Sequence, residues 1–261
     1  MLRRGSFLLT IALITSAFIA MDEGDGGAAQ AAATRSPVSA EREAPTDEAA
    51  RRLARETGKS VEILARRGES REVFANPDGS FTAVEHLRPV RVRQGDGWAD
   101  PDTTLVRRPD GTIGPRAATV GLSLSPGGDA PLARMSRAGR ELSLRWPGRL
   151  PEPELDGDSA IYRDVIKGVD LVVRADVDGF AHPLVVKDRE AAASDALSRL
   201  TFGLGGTGLD VRAGDGGTLE AVDTAGGGAL FEAPKAIMRA SRAAARTAAP
   251  DERTGVPDKT S

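Results

Sequence analysis

The sequence has 261 residues, of which 40% are hydrophobic, 28% charged and 4% aromatic, and its formal net charge is −3. This apolar fraction can fill a core in one or two domains and opposes full disorder, and the near-neutral balance gives no electrostatic case for a nucleic-acid partner. Absence of cysteine excludes disulfide scaffolds, thiolate metal sites and thiol catalysis, and two histidines, His86 and His182, leave little room for zinc or a Ser-His-Asp enzyme.

Arg3 and Arg4 precede an apolar run from Phe7 to Ala20 that is broken only by Thr10, Thr15 and Ser16. Basic residues followed by such a run predict a secretory signal peptide, placed over residues 1–31 by the small-x-small pattern Ala29-Gln30-Ala31. A cut near Ala20, or an uncleaved N-terminal anchor, are the alternatives, and membrane contact is expected only through such an uncleaved segment. The run is short for a bilayer span, which takes about 20 apolar residues.

Residues 32–45 lack apolar periodicity and read as a flexible linker. A short helix is expected over 46–58. Thr46 can cap it, Asp47 and Glu48 suit the positive end of the helix dipole, and Gly58 can stop it. Its apolar stripe of Ala50, Leu53, Ala54 and Thr57 is thin, so the helix must dock or fray.

From residue 59 to residue 238 the period becomes two, the pattern of strands with one buried face. Val90 and Val92 alternate with arginines. Val120, Leu122 and Leu124 form an inward face, as do Leu142, Leu144 and Trp146, and Val169, Leu171, Val173 and Ala175. Phe180, Leu184 and Val186 read as one further strand, followed by Leu200, Phe202 and Leu204 and by Leu209, Val211 and Ala213. Turn residues punctuate these runs: Asn76-Pro77-Asp78-Gly79, Gly95-Asp96-Gly97, Pro109-Asp110-Gly111, Asp178-Gly179, Gly214-Asp215-Gly216 and Gly226-Gly227-Gly228. Arg189 to Arg199 is Ala-rich and suits a helical connection. An all-β antiparallel sandwich with a short N-terminal helix is expected, followed by a disordered tail over 239–261.

No residue pattern here names a reaction. Asp176, Asp178 and Gly179 resemble part of a calcium loop, but Arg174 and Val185 occupy positions where an EF-hand needs ligands. Asp164, Asp170 and Asp176 are the carboxylates a glycan hydrolase would draw on. His182 shares a strand face with Phe180 and Leu184 and reads as a core histidine, whereas His86 is expected to be exposed. Trp146 reads as core. Trp98, after the Gly95-Asp96-Gly97 turn, is the candidate ligand-binding residue, since an exposed indole can stack on a sugar face. Pro183 suggests that its strand lies at a sheet edge, where a missing N–H is tolerated. No catalytic residue, cofactor or metal site is expected.

Several segments resemble one family. Arg71 to Gly79 with Phe81-Thr82, Gly139-Arg140-Glu141-Leu142, Trp146-Pro147-Gly148 and Leu150-Pro151 look like the N-terminal β-rich region of large secreted actinobacterial wall-associated proteins. Tyr162-Arg163-Asp164-Val165, Gly168-Val169-Asp170-Leu171 and Asp178-Gly179-Phe180 resemble its most recognisable part, and Phe231-Glu232-Ala233-Pro234 its closing strand. In that family the region precedes LamG-like jelly-roll domains or RHS/YD repeats. The resemblance implies an exported, non-catalytic module, secreted and cell-wall associated, with a structural or adhesive role. Its partner would be a cell-wall glycan or another extracellular protein module. A carbohydrate-binding module is the alternative, and a glycan hydrolase a more distant one.

Overall fold

The computed structural model describes residues 43–238 and the backbone of two N-terminal strands, β1 (Phe7–Ile11) and β2 (Ala17–Ala20). Most of the linker, the Ala29-Gln30-Ala31 pattern and the tail from residue 239 lie outside the described residues.

An N-terminal unit comes first in chain order. It contains β3 (Glu43–Ala44), α1 (Asp47–Thr57), β4 (Val61–Ile63), β5 (Arg71–Ala75) and β6 (Phe81–Glu85). Glu43 and Ala44, read from sequence as linker, pair in parallel with β4, and β4, β5 and β6 continue the sheet antiparallel. The expected caps of α1 are present. The Thr46 hydroxyl accepts from the Ala49 N–H at 3.3 Å, and Gly58 at φ +68° returns its N–H to the Ala54 carbonyl at 2.9 Å. Ala50 and Ala54 are fully buried against Val61, Ile63, Val73 and Ala75, so the thin stripe docks on a sheet of its own.

A two-stranded hairpin follows, β7 (Val92–Gln94) and β8 (Gly97–Ala99). Here the expected alternation half fails: Val92 is buried but Val90 is exposed.

The sandwich proper begins with β9 (Asp102–Arg107), β10 (Ile113–Ala117), β11 (Gly121–Leu124), β12 (Ala133–Arg137) and β13 (Arg140–Arg145). These form one sheet with β19 (Leu200–Thr207), to whose outer side β1 is added. The second sheet contains β14 (Glu154–Asp156), β15 (Ser159–Ile166), β16 (Val169–Ala175), β17 (Gly179–Ala181) and β18 (Leu184–Val186). It also holds β20 (Leu209–Ala213), β21 (Leu219–Asp223) and β22 (Ala229–Ala233), with β2 lying between β17 and β22. Two short helices, α2 (Arg189–Ala192) and α3 (Asp195–Ser198), fill the expected helical connection. The chain is thus all-β in several antiparallel sheets, as its alternation predicts.

The two large sheets share one core. Leu122, Leu124, Met135 and Leu142 of the first pack with Tyr162, Leu171, Val173 and Phe231 of the second, all at most 2% exposed. Each such side chain contributes roughly 1.5–3 kcal/mol on burial. Trp146 belongs to this core, edge-on to Phe202 with ring centres 5.5 Å apart.

Two sequence expectations need correction. The run from Phe180 to Val186 is two strands, interrupted at His182 and Pro183. Asp178-Gly179 does not turn through a left-handed glycine, because Gly179 already belongs to β17 and the tight loop is carried by Val177 and Asp178.

Candidate functional site

Strands β17 and β18 run as one line along β16. The pairs Ala175–Phe180, Arg174–Ala181, Leu171–Leu184 and Val169–Val186 keep a single register through the break. The hydrogen bonds from Asp176 N to Gly179 O, Val172 N to Pro183 O and Lys187 N to Gly168 O fix which positions face β16. By the alternation of an antiparallel ladder, the N–H and C=O groups of Leu184 and Val186 therefore point away from it. Among the described residues β2 lies against β17 on that outer side, whereas β18 pairs with β16 alone. The edge expected from Pro183 is present, but for a different reason. Pro183 sits where an N–H would face β16, so it ends the β17 ladder and does not turn its missing donor to solvent.

The outer groups of β18 are accompanied by Val185, 47% exposed, while Leu184 and Val186 pack with Val169, Ala191 and Leu197. The edge is stiffened from the side by a charge network. Lys187, next after β18, holds Asp164 Oδ1 at 2.9 Å and Asp170 Oδ1 at 2.7 Å. Asp170 also accepts from the Arg163 guanidinium at 3.0 Å and the Asp164 N–H at 2.9 Å. Asp164 takes φ +47° at an irregularity within β15, where its amide reaches that carboxylate.

Burial alone would raise the Asp170 pKa, but Lys187, the Asp164 amide and Arg163 together hold it below the usual carboxylate range. The Lys187 ammonium likewise holds Asp164 low. Both groups are ionised at neutral pH, without a proton to give a leaving group. The structure thus brings Asp164 and Asp170 to one lysine, while Asp176 lies elsewhere, paired with Arg88. Asp178 differs: burial pushes its carboxyl up, Asp176 adds to the rise, and Arg88, 3.6 Å away, opposes it.

Both histidines are at least partly buried. His182 is 3% exposed and edge-on to Phe202 at 5.3 Å. His86 is half-buried where exposure was expected, because Glu72 draws it in at 3.0 Å and also pairs with Arg91. Trp98 is half-buried too. The Arg93 guanidinium, opposite it in the β7–β8 hairpin, lies 4.7 Å from the indole centre and covers one face. Sequence reasoning placed Leu184 and Val186 on an edge strand, with Pro183 as the signal, and missed Lys187, whose role depends on register.

Comparison with family models, curated proteins and solved structures gave no match.

Proposed function

We propose that this chain is an exported, non-catalytic β-sandwich module with a structural or adhesive role at the cell surface, acting by strand addition along the β17–β18 line. The observation that carries this reading is the outward row of Leu184 and Val186 backbone groups on an apolar edge that, among the described residues, pairs on one side only. Such an edge takes up an extended segment through main-chain hydrogen bonds, with side-chain pockets setting the choice of partner. The partner is an extended segment of another extracellular protein module. Placement of β2 on β17 supports the reading, since the same line accepts a short apolar strand from a distant part of the sequence. If the leader is cleaved, the place of β2 is vacated and the free edge lengthens from β18 into β17.

Each added ladder bond contributes about 0.5–1.5 kcal/mol net, so a strand of this length binds weakly and gains strength by repetition on a surface. The basic-then-apolar N-terminus supports export, and the resemblance to wall-associated proteins supports the surface role.

The test is fractionation of producing cells that express the full chain or its Val186→Pro variant. Proline there removes an outward donor without touching the ladder to β16. Recovery of the wild type in the cell-envelope fraction, and release of a still-folded Val186→Pro protein to the medium, is the expected result. Cytoplasmic wild type, or equal envelope retention of the variant, overturns the reading.

A further inference from the structure

A cavity of about 160 Å³ lies between the β7–β8 hairpin and the β9–β10 ribbon. Its floor includes Val92 and Val120, and its walls carry Arg93, Gln94, Arg108 and Arg116. Three arginines thus line one small space in a chain whose net charge is −3. They come from separate pieces of backbone: Arg93 from β7, Arg108 from the turn after β9, and Arg116 from β10.

Local backbone features place each of them. The register of β9 against β10 shifts between Pro115 and Ala117, an irregularity that falls on Arg116. Arg108 lies across Gly114. A Cβ built on that glycine would come within 2.3 Å of the Arg108 Nη2 and 2.4 Å of its Cζ, so the missing side chain is the slot in which the guanidinium rests. Arg93 is backed by the Trp98 indole.

Counter-charge at the site is sparse. Arg116 has Asp102 at 3.7 Å, and Arg108 makes a long bond of 3.5 Å to the Pro115 carbonyl, with Asp110 near it in the same turn. Arg93 has its aromatic partner. Among the described residues neither Arg93 nor Arg108 forms an ion pair with a carboxylate. Arginines that line a small polar space suit the paired oxygens of a carboxylate or phosphate, which a guanidinium fork matches.

We propose that this cavity binds an oxyanion, the carboxylate or phosphate of an anionic extracellular glycan, with Arg93, Arg108 and Arg116 as its ligands. The oxyanion site stands on its own geometry; only the glycan as its bearer rests on the surface role proposed above. It assigns Trp98 a part other than a sugar platform: the indole holds Arg93 against the cavity and reports on it.

The experiment titrates the full chain with inorganic phosphate and with galacturonate, at ionic strength held constant by chloride, and follows tryptophan fluorescence and binding heat. Saturable binding of either probe, weakened at least tenfold in Arg108→Gln and in Arg93→Gln, is the expected result. Saturation by phosphate alone names a phosphorylated bearer, and by galacturonate alone a carboxylated one. Arg93 is exposed, so its variant remains informative if Arg108→Gln fails to fold. Response indistinguishable from chloride, or saturable binding unchanged in Arg93→Gln and in any folded Arg108→Gln protein, overturns the proposal. Val186→Pro leaves oxyanion binding unaltered, which separates failure of this site from failure of the strand edge.

Discussion

The Tyr162 hydroxyl donates to the Ser125 carbonyl at 2.7 Å, tying β15 in one sheet to the end of β11 in the other. Tyr162 is fully buried and Ser125 is 2% exposed, so the bond spans the sandwich in an apolar setting. Burial pushes the phenol pKa well above its usual value, which keeps the donor protonated throughout the working range of pH. Tyr162→Phe keeps the ring and removes the donor, stranding a buried carbonyl at a cost of about 1–3 kcal/mol. Tyr162→Ala adds a cavity, for a total of about 3–5 kcal/mol. Urea unfolding checks both, as a lower midpoint with an unchanged slope. A phenylalanine variant as stable as the wild type would show that the bond contributes nothing.

Asp170 makes stability depend on acid. Its folded pKa lies below the unfolded value of about 3.9, so it stabilises the fold fully above that value. The contribution is lost as pH falls through the folded pKa. Asp170→Asn removes the charge that faces the part-exposed Lys187 and Arg163, and losing such hydrogen bonds to charged groups costs about 1.5–3 kcal/mol at neutral pH. The expected signature is a melting-temperature gap between wild type and variant that is wide at pH 7 and narrows below pH 4. A constant gap across that range would show that the ion pairs are not its source.

Much of the sheet architecture was readable from alternation alone. Leu122–Leu124, Leu142–Leu144, Val169–Ala175 and Leu200–Phe202 lie where period two places them, because each strand has one face in the common core. The candidate sites were less legible. Lys187 meets Asp170 only because β18 pairs with β16 in one particular register, and register is a tertiary property. Arg93, Arg108 and Arg116 come to one cavity from separate backbone segments, and no linear spacing encodes that. One local mark was present, Gly114-Pro115 inside a strand, where glycine signals a bulge or a close approach. Trp98 was singled out for exposure, yet its hairpin neighbour Arg93 covers it.

Asp178 predicts the opposite sign from Asp170. Burial raises its folded pKa above the unfolded one, so the ionised carboxylate opposes folding at neutral pH, and that penalty fades as pH falls through the folded pKa. Asp178→Asn removes a charge that Arg88, 3.6 Å away, and the more weakly acting Arg137 offset only in part. The variant is expected to melt above the wild type at pH 7, with the advantage shrinking towards pH 4. Calorimetry at the two pH values checks this, and a variant less stable at pH 7 would mean that the Arg88 pair outweighs desolvation.

Gly168 turns the chain between β15 and β16 at φ +74°, directly beneath α2. A Cβ there would stand 2.8 Å from the Ala191 Cβ, closer than two carbons tolerate. Gly168→Ala therefore carries two penalties: about 1–2 kcal/mol for a left-handed conformation, and a clash that lifts α2 from Val169. The two separate in a double-mutant cycle. Ala191→Gly removes the opposing methyl and costs about 0.5–1 kcal/mol as a glycine in a helix. If the clash is real, the double variant is more stable than the sum of the single changes by at least about 0.5 kcal/mol, the size of coupling seen between residues in contact. Strict additivity in urea unfolding would mean that α2 yields freely and that only the backbone conformation of Gly168 matters.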